Sequence, residues 1–435
     1  MPVGRAFTIE LLAVAFVGWS CQNPALKNPL KRRRTRVDLV DWWYGLLGLS
    51  IPKAVIYTLI VTHATIVSVT IYLHRHMAHR ALELSPGLSF FFRTWLWLTT
   101  GMSTKQWTAV HRKHHATTET EDDPHSPQVH GLKEIFWKGT EYYRAGCTPE
   151  ELEKYGKGTP DDWWERHVFT PHSFWGIATM ATVDILLFGS VGIVIWAVQM
   201  LWIPVLAAGV INGVCHAVGY RNFETPDAAT NVVHWGILIG GEELHNNHHT
   251  YPNSAKFSVK PWEFDMGWFW IRLFSVFGLA KARSTGPVVA RERGKVQIDM
   301  DTVWGALNDR FRVMSQYAES VVAPLARLEV RSADAATKRI LRRAKSVLCR
   351  EEMLVGERER RDIKAILESS PILKTIYEKR LELNAVWAKR GGSREDLLKA
   401  FKDWCVEAEN TGIQALRDFV TELKSYTMPL GRATA

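Results

Sequence analysis

Cysteine is scarce in this chain of 435 residues, and what there is lies scattered along its length. The cysteines are odd in number and form no Cys-x-x-Cys pair; they are Cys21, Cys147, Cys215, Cys349 and Cys405. This pattern argues against a disulfide framework, a zinc ribbon and a cysteine-ligated iron–sulfur cluster. It favours a reducing compartment.

Histidine is absent after His249, and charge is sparse before residue 281. All sixteen histidines lie between His63 and His249, and sixteen of the nineteen tryptophans lie at or before Trp270. Residues 281–435 carry 52 charged side chains, against 47 in the first 280 residues. The sequence therefore predicts an apolar body followed by a charged tail, not a simple soluble globule. The net charge of +9 suits nucleic acid, an anionic membrane or an acidic partner equally.

Two apolar runs are long enough to cross a membrane, which takes about 20 residues. Ile51–Leu73 predicts one span. Residues 174–215 remain apolar for about two membrane widths, with Asp184 as their one charge and with Gly189 and Gly192 marking a turn. This run predicts a hairpin of two spans. Buried core helices are the alternative, and the tryptophans near the ends of the runs favour the membrane.

Three further segments bear on topology. Leu88–Met102 is apolar but short, and it predicts a helix lying in the interface. Ala6–Trp19 is short for a span, and the basic run at residues 31–36 is expected on the cytoplasmic side in preference to acting as a nuclear or nucleic-acid signal. Three interpretations of this end of the chain remain open. The N-terminus is periplasmic, or Ala6–Trp19 is a fourth crossing, or residues 1–40 come from an over-extended start codon.

Three histidine clusters flank the apolar runs. Box one is His74–His79, box two is His111–His115 and box three is His245–His249. In boxes two and three the spacing i, i+3, i+4 places three imidazoles on one helix face. Neutral imidazole binds iron, zinc, copper or nickel, and the clusters hold more histidines than one tetrahedral zinc could use. Three solvated histidine-rich surfaces are the alternative, and the recurring spacing argues against it.

The geometry of box one leaves its ligands open. His74 and His79 are five residues apart, about 140° around an ideal helix, whereas His76 and His79 are three apart. Helical spacing alone does not choose between His74 and His76.

These motifs make the chain resemble the membrane-bound acyl desaturases, the stearoyl-CoA Δ9 type in particular, and most closely bacterial Δ9 desaturases without a fused electron carrier. The resemblance covers roughly residues 42–280. It rests on His74-Arg75…His79-Arg80, Trp107…His111-Arg-Lys-His114-His115, Asp123-Pro124-His125, Asn212…His216…Gly219-Tyr220-Arg221 and Gly241-Glu242…His245-Asn-Asn-His248-His249. Alkane hydroxylases begin with a His-Glu box and front-end desaturases have Gln in the third box, so both fit less well.

The resemblance implies that nine histidines hold two iron ions and that an asparagine reaches one iron through water. It also favours His74 over His76 in box one. Carried over residue by residue, the implied ligands are His74, His79, His111, His114, His115, His216, His245, His248 and His249, with Asn212 as the asparagine.

The implied substrate is a fatty acyl chain, carried by CoA or by a phospholipid. The resemblance places Trp107 beside the bent chain, although an ordinary interfacial tryptophan fits this position equally well. Arg80, Arg112 and Lys113, together with Arg75, are candidates to hold a phosphate-bearing head group. They are equally suited to facing anionic lipid.

The remaining residues of the motif region receive lesser roles. We expect His125 to order a loop or to support a ligand, and Glu242 at most to support one. Gly101 and Ala208 stand where animal relatives have Gln and Thr, so the regiochemistry does not carry over. The other histidines are interpreted as packing or surface residues: His63, His130, His167, His172 and His234.

The reaction that the family catalyses consumes O2 and two electrons, and this chain shows none of the usual electron carriers. It has no cysteine cluster, no glycine-rich dinucleotide loop and no His-Pro-Gly-Gly of the cytochrome b5 type. We therefore expect a separate ferredoxin or NAD(P)H-dependent reductase. A hydroxylase of the same superfamily, or a histidine-rich metal transport or sensor protein, is the alternative.

The predicted fold is all-α. It comprises an N-terminal extension (1–40), a membrane-embedded body with a cytoplasmic histidine-rich cap (41–280) and a soluble charged helical domain (281–435). The implied location is the cytoplasmic membrane, crossed several times, with the site facing the cytoplasm. The charged domain could dock the electron donor, mediate assembly or bind nucleic acid, but a solvated bundle is favoured and no nucleic-acid partner is expected.

Overall fold

A computed structural model of the protein describes residues 43–429, so Ala6–Trp19 and the basic run at residues 31–36 lie outside the described residues. Helices dominate, as predicted. The strands are two or three residues long. They form an antiparallel pair Leu82–Leu84 with Ala280–Ala282, a parallel pair Trp235–Gly236 with Phe264–Asp265, and an antiparallel pair Ala290–Arg291 with Tyr426–Thr427.

The body contains helices α1 to α10, several of which continue as π-helical or 3-10 turns. The α-helices are α1 (Ile51–Ser68), α2 (Pro86–Thr100), α3 (Thr104–Thr117), α4 (Pro127–His130), α5 (Leu132–Ala145), α6 (Pro149–Tyr155), α7 (Ser173–Phe188), α8 (Ser190–Ile203), α9 (His245–Thr250) and α10 (Met266–Val276). The π-helical segments are Val69–Ala78, Glu165–Phe169 and Pro204–Gly213, and Val214–His216 is a 3-10 turn.

Two continuous helices of the described part are long and apolar enough to cross a membrane. They are Ile51–Ala78, formed by α1 and its π-helical end, and Ser190–His216, formed by α8 and its extension. Helix α7 is apolar but has only 16 residues. It joins α8 at Gly189, where φ is +61°. Residues 174–215 therefore form two helices with a glycine turn, but of the predicted two spans only the second helix has the length to cross a membrane.

Helix α2 corresponds to the predicted helix Leu88–Met102 and packs closely on α7. It begins with Pro86 behind the cap Ser85, whose hydroxyl accepts from the N–H of Leu88. A Cβ at Gly176 of α7 would lie 2.2 Å from the carbonyl oxygen of Trp97. The close approach of these two helices therefore requires glycine at position 176.

The C-terminal segment is helical and has its own apolar core. Its α-helices are α11 (Met300–Asn308), α12 (Arg310–Tyr317), α13 (Ala323–Ser332), α14 (Ala335–Leu341), α15 (Ala344–Leu348), α16 (Glu357–Ser369), α17 (Pro371–Ala388), α18 (Arg394–Asn410) and α19 (Gln414–Lys424). Residues 318–322 are π-helical, and 3-10 turns occupy Glu352–Leu354 and Lys389–Gly391. Phe401, Trp404 and Phe419 lie in its core. Helix α18 begins behind Ser393, whose hydroxyl accepts from the N–H of Asp396.

The C-terminal helices contact the body next to box three. The Tyr251 hydroxyl donates to Oδ1 of Asp309 at 3.0 Å, and Asp309 is 1% exposed. The Ser315 hydroxyl donates to the carbonyl oxygen of Asn222 at 3.1 Å. Tyr251 follows box three by two residues, so the C-terminal segment is anchored on the part of the chain that carries its last histidines.

Candidate metal centre

Five imidazoles converge in what we call the first nitrogen group. One ring nitrogen from each of them lies within 4.8 Å of all the others, and the members are His74, His79, His111, His115 and His248. Their Nε2 atoms meet in pairs, at 3.0 Å for His74 with His248, 2.8 Å for His79 with His111 and 3.0 Å for His115 with His248. Boxes one, two and three therefore all contribute to this group.

A π-helical turn explains how box one contributes two histidines. The N–H of His79 donates to the carbonyl oxygen of His74 at 3.0 Å, an i to i+5 bond. In an α-helix residues five apart diverge, whereas wider π-helical turns bring them towards one side. The Nδ1 of His76 lies 2.8 Å from the carbonyl oxygen of Leu82, and His76 belongs to neither nitrogen group. The structure thus brings His74, not His76, to the other histidines.

Four imidazoles form the second nitrogen group. They are His114, His216, His245 and His249, again with ring nitrogens within 4.8 Å of one another. The Nε2 atoms of His216 and His245 are 3.0 Å apart. His216 comes from the 3-10 turn that ends the extended α8 helix, far from any box in sequence.

The two groups divide boxes two and three between them. On α3, His111 and His115 point to the first group and His114 to the second. In box three, His248 points to the first group, while His245 and His249 point to the second. The spacing i, i+3, i+4 therefore serves two neighbouring centres, not the single shared face that the spacing suggests.

A carboxylate lies on the Nδ1 side of four of these histidines. The Nδ1 to carboxylate distances are 2.7 Å for His74 with Glu242, 2.9 Å for His114 with Asp123, 2.9 Å for His216 with Glu119 and 3.0 Å for His249 with Asp227. An acceptor at Nδ1 fixes the tautomer that leaves Nε2 free as a ligand. Of these carboxylates the sequence suggests only Glu242 as a support, with Asp123 marked by its motif. Glu119 and Asp227 carry no spacing signal.

Burial and these carboxylates set the protonation of the cap. Burial holds the pKa of His79, His111 and His115 well below the ordinary value for histidine, so these imidazoles are neutral at pH 7. Burial opposes ionisation of Asp227, but the neighbouring His249 outweighs it and holds the pKa of this carboxyl well below its usual range. A neutral imidazole is the form in which histidine binds a transition metal, so His79, His111 and His115 are suited to that role.

Buried ring nitrogens without a hydrogen-bond partner also indicate metal binding. Nε2 of His114 and Nε2 of His249 are buried and have no hydrogen-bond partner, although each ring is bonded to a carboxylate through Nδ1. A buried ring nitrogen without a partner is costly in a protein interior. Metal coordination at these atoms would remove that cost, so the residues present fit a centre of two metal ions.

A cavity borders both groups and extends away from them between helices. It is lined by His74 and His245 and by apolar residues of α1 and of the extended α8 helix. A second cavity of about 540 Å³ shares Trp107, Ile203, Ala207 and Asn212 with the first. The Trp107 ring stacks on His111, with centroids 4.8 Å apart and planes at 13°. Trp107 and Asn212 therefore stand where the nitrogen groups meet the cavity.

The basic side chains near the boxes bond to the protein itself. The Arg112 guanidinium donates to the carbonyl oxygens of Met77, Ala78, Tyr155 and Lys157. In the same region, Arg80 donates to Lys157, and Lys113 pairs with Glu151 at 2.9 Å. Arg75 is fully buried in an ion pair with Asp265.

The seven remaining histidines lie outside the two groups. Nε2 of His63 accepts from the Trp270 indole at 2.9 Å, and His130 stacks on Tyr142. His167 stacks on Trp163. His125 differs, because it forms a third cluster with His114 and Asp123.

Comparison with known proteins identifies the class to which this site belongs. The family model described as fatty acid desaturase matches residues 50–268, which is half of the chain and includes every member of both nitrogen groups. The chain therefore belongs to the fatty acid desaturase family, a family of enzymes that desaturate fatty acids.

Curated relatives confirm the resemblance to Δ9-type desaturases. Their names differ in the position of the double bond and in the carrier of the acyl chain. An acyl-CoA 5-desaturase of Anemone leveillei is 30% identical over 220 residues, which cover 48% of this chain and 65% of that relative. A Delta-9 desaturase-like protein of Arabidopsis thaliana is 30% identical, covering 50% and 72% of the two chains. A Delta-9 acyl-lipid desaturase of the same plant is 28% identical, covering 58% and 84%.

The C-terminal segment matches a different family model. A model described as transposase covers residues 306–432, almost all of the helices that follow the body.

Proposed function

We propose that the protein is an O2-dependent di-iron desaturase that introduces a cis double bond, at the Δ9 position, into a saturated fatty acyl chain. The observation that carries this proposal is the pair of converging imidazole groups. Five and four histidines around two neighbouring centres exceed what a single zinc ion requires. Membership of the desaturase family supports the reaction.

Each of the two nitrogen groups would hold one iron ion. Asn212 would reach the iron of the second group through a water molecule. Iron bound there would supply the oxidation of an unactivated methylene by O2, which no side chain can perform. The protein's own contribution is positional. Glu242, Glu119 and Asp227 each fix one ring through its Nδ1, and burial keeps His111 and His115 neutral.

The two neighbouring cavities would take the acyl chain. Their shared residues Ile203 and Ala207 provide an apolar wall next to the nitrogen groups. Trp107, held flat against His111, would turn the chain at the reacting carbons. A cavity with an apolar wall of fixed length would select a position along a featureless chain by length, which supports a fixed regiochemistry.

The substrate's carrier is CoA or a phospholipid, and relatives with acyl-CoA and acyl-lipid names support both. We propose that Arg112 braces the backbone around it and does not bind the head group, because its guanidinium donates to four backbone carbonyls. Arg80 and Lys113 have fewer internal partners. They are the candidates we retain for contact with a phosphate.

We propose a multi-pass protein of the cytoplasmic membrane whose histidine cap faces the cytoplasm, where a separate ferredoxin or reductase delivers electrons. The two apolar helices support a membrane location. For residues 281–435 we propose a separate helical domain that braces box three through the contact between Tyr251 and Asp309.

Expression in a bacterial host that requires unsaturated fatty acids, together with a functional reductase, tests the proposal. We expect new cis-monounsaturated chains in the lipids and growth without supplement. The variant His115→Ala should give neither. Hydroxylated chains would indicate the hydroxylase instead, and no new chain with a protein that holds zinc or copper would indicate a metal-binding protein.

A further inference from the structure

His125 is buried beside the second nitrogen group. It follows Asp123-Pro124 in the loop between α3 and α4, and it is 3% exposed. Its ring stacks on that of His114, with centroids 4.6 Å apart and planes at 27°. The loop is anchored independently of this ring, because the N–H of His125 donates to Oδ1 of Asp123 and the Ser126 hydroxyl donates to Glu119.

Both ring nitrogens of His125 are buried without a hydrogen-bond partner. A neutral imidazole has one N–H donor and one acceptor nitrogen, so burial leaves two polar groups unsatisfied. Each such group costs free energy that an apolar ring of the same shape would not cost. Packing against His114 therefore does not account for a histidine at this position.

The His125 ring also lines the cavity that borders the nitrogen groups. Asn212, Tyr143 and His245 line the same cavity. The Tyr143 hydroxyl is likewise buried with no hydrogen-bond partner of standard geometry. Several polar groups without partners thus face one space next to the second nitrogen group, which has four imidazoles where the first has five.

We propose that His125 is a positioning residue of the second iron site, which it reaches through the water molecule that Asn212 is proposed to present to that iron. One ring nitrogen of His125 bonds to this water, and the stacking contact holds the ring parallel to His114. This inference rests on the proposed di-iron function. It goes beyond that function by assigning a tenth histidine to the centre, as a holder of a water ligand.

The test compares His125→Phe and His125→Asn with the wild-type protein and with His130→Phe as a control. Phenylalanine retains the stacked ring and removes both nitrogens, whereas asparagine retains a donor and an acceptor. His130, five residues away, stacks on Tyr142 and lies outside both nitrogen groups. The readouts are iron per chain, the rate of iron loss to a chelator and the Mössbauer spectrum, with turnover measured beside them.

We expect His125→Phe to fold and bind two irons, with altered Mössbauer parameters for one iron only. That iron should be lost to a chelator about 10- to 100-fold faster, the range typical of groups that support a metal ligand. His125→Asn should lie between this variant and the wild type, and His130→Phe should match the wild type.

Wild-type spectra and iron loss in His125→Phe would overturn the inference. If His125→Phe does not fold, His125→Asn decides: one perturbed iron supports the inference, and unchanged iron contradicts it. If the wild-type protein itself lacks two irons, the proposed function fails. If the wild-type protein holds two irons and neither variant changes their spectra or their loss to a chelator, only the proposed role of His125 is contradicted.

Discussion

His114 and His115 are adjacent in the chain, yet their imidazoles belong to different nitrogen groups. His115 meets Nε2 of His248 at 3.0 Å in the first group, while His114 lies with His216, His245 and His249 in the second. One helix turn therefore connects the two nitrogen groups, and loss of either ring should affect one of the two proposed metal sites more than the other.

Single replacements in box two should separate the two sites. His115→Ala removes one ligand of the first group and His114→Ala one ligand of the second, so each variant should retain less than two irons per chain and lose desaturation. The Mössbauer spectra of the two variants should lack different components. His76→Ala, which changes a histidine outside both groups, should keep two irons. Equal loss of both components in both variants would contradict the division.

The carboxylate of Asp227 should matter to the second site although it binds no metal itself. Its Oδ2 lies 3.0 Å from Nδ1 of His249. Asp227→Asn preserves the shape but replaces the acceptor that favours the required tautomer, so iron affinity should fall by about 10- to 100-fold. Competition with a chelator measures this. Asp301→Asn, on α11 and outside the metal groups, is the control. Wild-type affinity in Asp227→Asn would show that His249 needs no such partner.

A larger side chain at a position that lines both cavities should block the substrate without removing the metal. Ala207 lines both cavities next to Trp107, and Ala207→Phe places a ring where the acyl chain is proposed to pass. We expect normal iron content and at least a tenfold loss of turnover. Val194→Phe, on an exposed position of α8, should leave both unchanged. Full activity of Ala207→Phe would move the acyl path elsewhere.

The contact between Tyr251 and Asp309 should stabilise the protein. A hydrogen bond to a charged group typically contributes about 1.5 to 3 kcal/mol, so Tyr251→Phe should lower the thermal midpoint in detergent. Asp309→Asn should do the same, and the double variant should lose less than the sum of the two. If the double variant loses as much stability as the two single variants together, Tyr251 and Asp309 do not act together. Faster iron loss in Tyr251→Phe would support the bracing role of the C-terminal helices.

The sequence predicts the helical fold and the three histidine boxes because both depend on local patterns, whereas His216 and Asn212 are implied by the family resemblance alone. The apolar runs correspond to long helices, and the spacing of boxes two and three marks their histidines. Ideal helix geometry does not select His74, since a π-helical turn changes the direction of residues five apart. Asp227 and Glu119 reach their histidines across 22 and 97 residues. Such contacts arise from tertiary packing and leave no periodic signal.

The charge of the basic residues is equally visible in the sequence, but their partners are not. Arg112 looks like a free cation next to box two, whereas four backbone carbonyls surround its guanidinium. Backbone acceptors have no sequence signature, so composition alone overstates how much positive charge a head group would find.

The most direct test of the central claim is anomalous diffraction from crystals of the purified protein at the iron absorption edge. We expect two anomalous peaks per chain, one among His74, His79, His111, His115 and His248 and the other among His114, His216, His245 and His249. A single peak, or a signal at the zinc or copper edge in place of iron, would contradict the claim.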